Sequence, residues 1–118
     1  MSELDTSFYT KYFGGDATPG ARIACKKGAE KFLSQVDSRM KNLQEALDNK
    51  NTKTITHFAH QLKGSFSTLG GEHLTKIFEK LEDIAPDADE KIKQTLMNEA
   101  RVRVGTYKEE LEEFVHRL

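Results

Sequence analysis

The chain predicts an all-α fold: an antiparallel four-helix bundle with an additional short helix at its N-terminus. Three observations carry this expectation. Apolar residues recur at helical spacing through nearly the whole length. No stretch alternates with the period of two that a half-buried strand requires. The breakers are few and bunched: Gly14-Gly15, Thr18-Pro19-Gly20, Asp48-Asn49-Lys50-Asn51, Gly70-Gly71 and Pro86-Asp87. They divide the chain into five helical stretches with short connections, which suit antiparallel neighbours. The whole of residues 1–118 reads as one domain, with the core bundle from about residue 20 onward.

The first stretch, about residues 3–13, places Leu4, Phe8, Tyr9, Tyr12 and Phe13 on helical spacing, and Gly14 ends it as a C-terminal glycine does. Thr18 followed by Pro19 suggests an N-cap and a first-turn proline. The second stretch runs to about Leu47, with Ile23, Ala29, Phe32, Leu33, Val36, Met40, Leu43 and Leu47 on one stripe. Asn51 or Thr52 can cap the third, whose core side carries Ile55, Phe58, Ala59, Leu62, Phe66 and Leu69. Gly70-Gly71 makes a tight turn, so the fourth stretch, with Leu74, Ile77, Phe78, Leu81 and Ile84, folds back antiparallel. Pro86 breaks the chain, and Asp87 or Asp89 can cap the last helix. That helix carries Ile92, Leu96, Ala100, Val104, Tyr107, Leu111, Phe114 or Val115, and Leu118. Gly105 falls inside it and marks an expected kink or weak point.

Composition excludes several function classes. Charged residues make up 31% and hydrophobic residues 36%, with two prolines and no tryptophan, as expected for a small helical bundle with solvated outer faces. A formal net charge of −1 lacks the basic excess of a nucleic-acid binder. No apolar run approaches the roughly 20 residues of a membrane span. The acidic start Met1-Ser2-Glu3-Leu4-Asp5 has no apolar signal region. Cys25 is the only cysteine, so an intrachain disulfide and a cysteine zinc cluster are both excluded. A cytoplasmic monomer is the expectation.

The run His60-Gln61-Leu62-Lys63-Gly64-Ser65 carries the chemistry. At about 100° per residue His60 points away from the core stripe, with Lys63 and Gly64 at i+3 and i+4 on its own face. A mid-helix glycine costs about 1 kcal/mol relative to alanine and so calls for a packing or access reason. One purpose fits all three: the imidazole carries a phosphoryl group, the ammonium sits beside it, and the missing side chain admits a partner. Phosphorylation at Nε2 needs the proton on Nδ1, and an acceptor there would hold that tautomer. Glu82 or Glu79, on the returning helix, could supply it. The ordinary reading of each charge is a solvated helix face. His57 at i−3 offers a second imidazole, but a metal site needs three or four ligands and the others are missing, so no metal is expected. Neither glycine pair matches GxGxxG or a P-loop, so neither an ATP site nor autonomous kinase activity is expected.

The segment Ala59 to Gly71, Ala-His-Gln-Leu-Lys-Gly-Ser-Phe-Ser-Thr-Leu-Gly-Gly, resembles the signature of histidine-containing phosphotransfer (HPt) domains. Phe32 to Leu47 and Leu74 to Glu82 are similar to the helices flanking the histidine helix in that family. Phe13-Gly14-Gly15-Asp16 resembles a common N-terminal element, so the likeness covers roughly residues 8–85. Phe66, where many members have a second serine, and Gly71, where alanine is frequent, depart from the pattern, as does the connection before Pro19. The resemblance implies that His60 is the phosphoacceptor of a two-component phosphorelay. Lys63 would stabilise phosphoryl charge and Glu82 would orient the imidazole. It implies receiver domains of response regulators as partners, together with a hybrid histidine kinase, and Mg²⁺ supplied by the receiver with no cofactor of the chain's own. Gln61, Gly64, Ser65, Ser67 and Thr68 are the expected partner contacts. The competing readings are a receiver-docking module that carries no phosphate, a metal or ligand carrier built on His57 and His60, and a piece of a histidine kinase.

Overall fold

The computed structural model describes residues 2–118. Its elements are α1 (Phe8–Phe13), a 3₁₀ turn (Gly15–Ala17), α2 (Ala21–Asp48), α3 (Thr52–Thr68), α4 (Glu72–Ile84) and α5 (Glu90–Arg117). All are helical, as the periodicity requires. α3 packs against α2 and α4, and α5 packs against the same two helices, which closes a four-helix ring. α2 and α5 are 28 residues each. That is about 42 Å of helix, and the longest dimension of the molecule is 47 Å. α3 and α4 cover one end of this pair. α1 packs on α2 at the other, where Phe8 meets Phe114 with ring centroids 5.4 Å apart.

The caps explain the boundaries of the helices that hold the site. The Asn51 side chain accepts from the Thr54 N–H and opens α3, and Asp89 accepts from Ile92 to open α5. Between α3 and α4 the chain turns at Gly70, whose φ of 77° favours glycine. A Cβ on Gly70 would also lie 2.3 Å from the Asp5 carbonyl oxygen. The turn is pinned from outside, because the Asp5 N–H donates to the Gly70 carbonyl at 2.8 Å. The strap carrying Asp5 is anchored in turn on α5. The Glu3 N–H donates to Glu110, and its carboxylate accepts from Arg103 at 2.9 Å.

Phe66 stands at the centre of the core. It is stacked on Phe78 at 5.5 Å and meets Phe32 and Tyr107 edge-on at 5.0 and 5.1 Å. Burial pushes the Tyr107 phenol well above its usual range, and its hydroxyl donates to the Leu69 carbonyl at 2.7 Å. A polar atom inside the bundle is thus satisfied by the end of α3.

The structure corrects several local expectations. The N-terminal helix begins at Phe8, not at residue 3 or 4, because the Asp5 side chain accepts from the Ser7 N–H and competes with helical pairing. Leu4 is nevertheless buried. Thr18 and Pro19 do not open α2. The Thr18 hydroxyl donates to the Gly14 carbonyl, its carbonyl accepts from Ala21, and Gly20 at φ 80° is the N-cap. Ile23 is 63% exposed and Ile92 49% exposed, so both leave the expected stripes. Each lies in the first turn of its helix. Phe58 is only partly buried, at the edge of the core. α5 runs unbroken through Gly105, where an added Cβ would meet nothing within 4 Å.

Candidate functional site

The α3–α4 hairpin builds the site. Its turn lies near residue 71, so positions equally far from it, such as 60 and 82, come side by side. His60 Nδ1 lies 2.9 Å from Glu82 Oε2, and Lys63 Nζ donates to Glu82 Oε1 at 2.8 Å. Of the two acids the spacing left open, the structure brings Glu82 to the imidazole. Glu79 is exposed one turn earlier on α4. A carboxylate only accepts, so Nδ1–H donates to a charged Glu82, and in the neutral ring this tautomer leaves the lone pair on Nε2. The His60 side chain is 68% exposed, whereas Glu82 beneath it is 19% exposed. The imidazole is therefore open to solvent while the carboxylate that meets its Nδ1 is held in the protein.

The same carboxylate sets the local electrostatics. The hydrogen bond from Lys63, then the Lys63 charge and the bond from His60, hold the Glu82 carboxyl below its usual range, against the opposing effect of partial burial. The Lys63 ammonium is pushed above its ordinary value, first by its bond to Glu82, with Glu79 and Asp83 adding at longer range. Lys63 remains a cation and Glu82 an anion throughout the neutral pH range. The arrangement offers an exposed imidazole met at Nδ1 by a carboxylate, with a cation one helical turn away.

Gly64 follows on the same face. A Cβ there would meet nothing within 4 Å, so no contact within the chain demands glycine. The missing side chain opens the surface next to His60. Gln61, Gly64, Ser65 and Thr68 line, together with His60, a cavity of about 510 Å³ between α2 and α3. Ser67 does not join them. It faces a second hollow formed with Asp5, Ser7 and Phe8 on the α1 side. His57 lies edge-on against Phe58, with centroids 5.3 Å apart. No group of three or more potential metal ligands occurs among the described residues.

The α2 wall of the cavity went unrecognised in the sequence. It presents Lys31, Gln35 and Arg39, with Phe32 behind them. Arg39 Nη1 donates to Ser65 Oγ at 3.0 Å and Nη2 to Gln35 Oε1 at 2.9 Å. The signal was present as a polar i, i+4, i+8 row beside the apolar stripe. No helix is long and apolar enough to cross a membrane among the described residues.

Comparison with known proteins agrees with the helical fold. The model of the Hpt domain family matches residues 29–118. It takes in α5, which the His60 motif alone did not reach, and leaves out the first 28 residues. No match was found to a curated protein or to a solved structure. The match spans most of the chain, taking in α2 from residue 29 onward and all of α3, α4 and α5, so this protein belongs to the Hpt domain family, the phosphotransfer modules of two-component signalling.

Proposed function

We propose that His60 is the phosphoacceptor of a two-component phosphorelay. It takes the phosphoryl group from an aspartyl phosphate on one response-regulator receiver domain and passes it to an aspartate on another. The observation that carries this reading is the 2.9 Å contact between His60 Nδ1 and Glu82, which engages Nδ1 and leaves Nε2 as the available nitrogen of an exposed side chain. In the forward step the Nε2 lone pair forms the N–P bond, the acyl-phosphate O–P bond breaks, and its electron pair leaves on the receiver's aspartate carboxylate. The Nδ1 proton stays in place, and the positive charge that develops on the ring is met by Glu82. Lys63 balances charge on the phosphoryl oxygens as a mobile point charge. Onward transfer is the reverse step with a second receiver. Mg²⁺ arrives with the receiver, and the chain contributes the nucleophile, its orientation and one cation.

Gln61, Gly64, Ser65 and Thr68, which share the cavity with His60, are the proposed receiver contacts. Ser67 is part of the proposed docking rim only if the receiver reaches round to the α1 side. The protein is proposed to work in the cytoplasm, as a monomer, between a hybrid histidine kinase and a response regulator.

The test is transfer from receiver domains phosphorylated with acetyl phosphate in the presence of Mg²⁺, with wild type beside His60→Gln. An acid-labile, base-stable label on the wild type alone is the expected result. A folded wild type that takes no label from a broad receiver panel refutes the carrier role and favours docking without phosphate.

A further inference from the structure

The charges around His60 are unevenly distributed. On the α4 side stand Glu79, Glu82 and Asp83, with Glu82 paired to Lys63. On the α2 side, Lys31 and Arg39 line the cavity that His60 shares, and no aspartate or glutamate lines it. Arg39 is only partly exposed, yet the acceptors holding it are both neutral. It forms no ion pair among the described residues, whereas Lys63, Arg103 and Lys108 each meet a carboxylate within 3.0 Å. Partly desolvating a guanidinium against neutral groups is unfavourable. Ser65 and Gln35 nevertheless fix its plane and leave part of its five-donor fork unused.

The geometry points to Arg39 as a specificity-determining residue: its guanidinium, with Lys31 beside it, selects receiver domains that carry a carboxylate facing the α2–α3 cavity. This rests on the proposed phosphorelay reading and adds the side of approach and the charge by which the partner is chosen. Arg39 is bonded to Ser65, five residues beyond His60. That places its anchor about 7.5 Å further along the helix axis and about 140° round it. Lys63 lies nearer the imidazole, so Arg39 reads the partner's surface and not the phosphoryl group. A planar fork with free donors suits a carboxylate, which it can bind through two parallel hydrogen bonds. Phe13, Phe32 and Leu69 add apolar surface to the lining of the cavity. This surface would exclude water from the pair and strengthen it.

The experiment measures phosphoryl transfer to the full chain from a panel of receiver domains charged with acetyl phosphate. Wild type is compared with Arg39→Gln, Arg39→Glu and Lys31→Glu. Labelling of His60 by phosphoramidate, a small donor that needs no docking, gives the reference rate for each protein. We expect the receiver-to-phosphoramidate rate ratio to fall about tenfold for Arg39→Gln and further for Arg39→Glu, through KM and not kcat. Lys31→Glu, at an exposed site, should lower the ratio in the same direction, and reversing the facing carboxylate on the receiver to lysine should restore Arg39→Glu. A ratio unchanged in all three variants, while wild type accepts phosphate from receivers, overturns the inference and leaves the phosphorelay reading intact. Equal loss with both donors also overturns it, since the effect would then lie at His60. Failure of wild type with every receiver overturns the phosphorelay reading and the inference with it.

Discussion

Replacement of Glu82 separates the two tasks assigned to it. Its Oε2 takes the Nδ1–H of His60 at 2.9 Å and its Oε1 takes Lys63 at 2.8 Å. Glu82→Ala removes both bonds. Glu82→Gln keeps a carbonyl oxygen for the imidazole but removes the negative charge beside Lys63. A hydrogen bond to a charged partner contributes about 1.5–3 kcal/mol, and each 1.4 kcal/mol is a factor of ten in rate. If that bond is what holds Nε2 free and meets the charge developing on the ring, Glu82→Ala slows transfer from a phosphorylated receiver by about 10–100-fold. Glu82→Gln stays within about tenfold of wild type. Nitrogen NMR of His60 gives an independent reading. Wild type and Glu82→Gln should show the Nδ1–H form, and Glu82→Ala a mixture of tautomers. A Glu82→Ala protein that is folded, transfers at the wild-type rate and keeps the wild-type tautomer refutes the orienting role.

Three further outcomes follow from the same geometry. Gly64→Ala fills open space in a continuous helix, so it should stabilise the free chain by about 0.5–1 kcal/mol in urea unfolding while slowing transfer from receivers. A slower transfer without added stability would mean that the glycine serves the helix itself. Phe66→Ala opens the centre of the aromatic cluster and should lower the unfolding free energy by about 3–5 kcal/mol; a loss under about 1 kcal/mol would contradict the packing described. The third concerns pH. Glu82 has a folded value below its unfolded one, so its stabilising contribution is complete above the ordinary glutamate range, about 4.3, and fades as pH falls through the lowered folded value. The stability advantage of wild type over Glu82→Gln should therefore be present at neutral pH and disappear in acid. A difference that stays constant with pH would exclude the ion pair as its source.

Much of this was legible in the chain because helical periodicity is a strong signal when breakers are few. The stripe from Ile55 to Phe66 places His60 outward, and the glycine turn places a returning helix beside it. What escaped lay where local and tertiary effects compete. Asp5 looked like part of a helix, yet its side chain captures the Ser7 N–H and its backbone is tied to Gly70. Thr18-Pro19 has the composition of a helix start, but Thr18 turns back to Gly14 and the helix begins two residues later. Ile23 and Ile92 satisfy the period but sit in first turns, where the neighbouring helices do not cover them. Spacing admitted Glu79 and Glu82 but favoured Glu82, which lies as far beyond the turn as His60 lies before it, and the structure brings Glu82 to the imidazole. Arg39 was missed because a lone arginine on a solvated row looks like any other charge. Only the structure shows that no acid faces it.

The two sides of His60 thus carry different work. In the unphosphorylated chain Lys63 and Glu82 cancel, and Glu79 and Asp83 act on Lys63 from longer range. A phosphoryl group adds nearly two negative charges at neutral pH. Glu79, Glu82 and Asp83 repel that charge from the α4 side, and Glu82 competes with it for the Lys63 ammonium. The phosphoryl oxygens are therefore favoured towards Lys63 and the open surface at Gly64, where no side chain obstructs them. That surface leads directly into the cavity whose far wall carries Arg39 and Lys31. A receiver brings its own acidic site to the reaction. On the proposed relay reading its approach would be opposed by the carboxylates of α4 and favoured by the cations of α2, so the carboxylate that meets His60 would also help to direct the partner to the opposite wall.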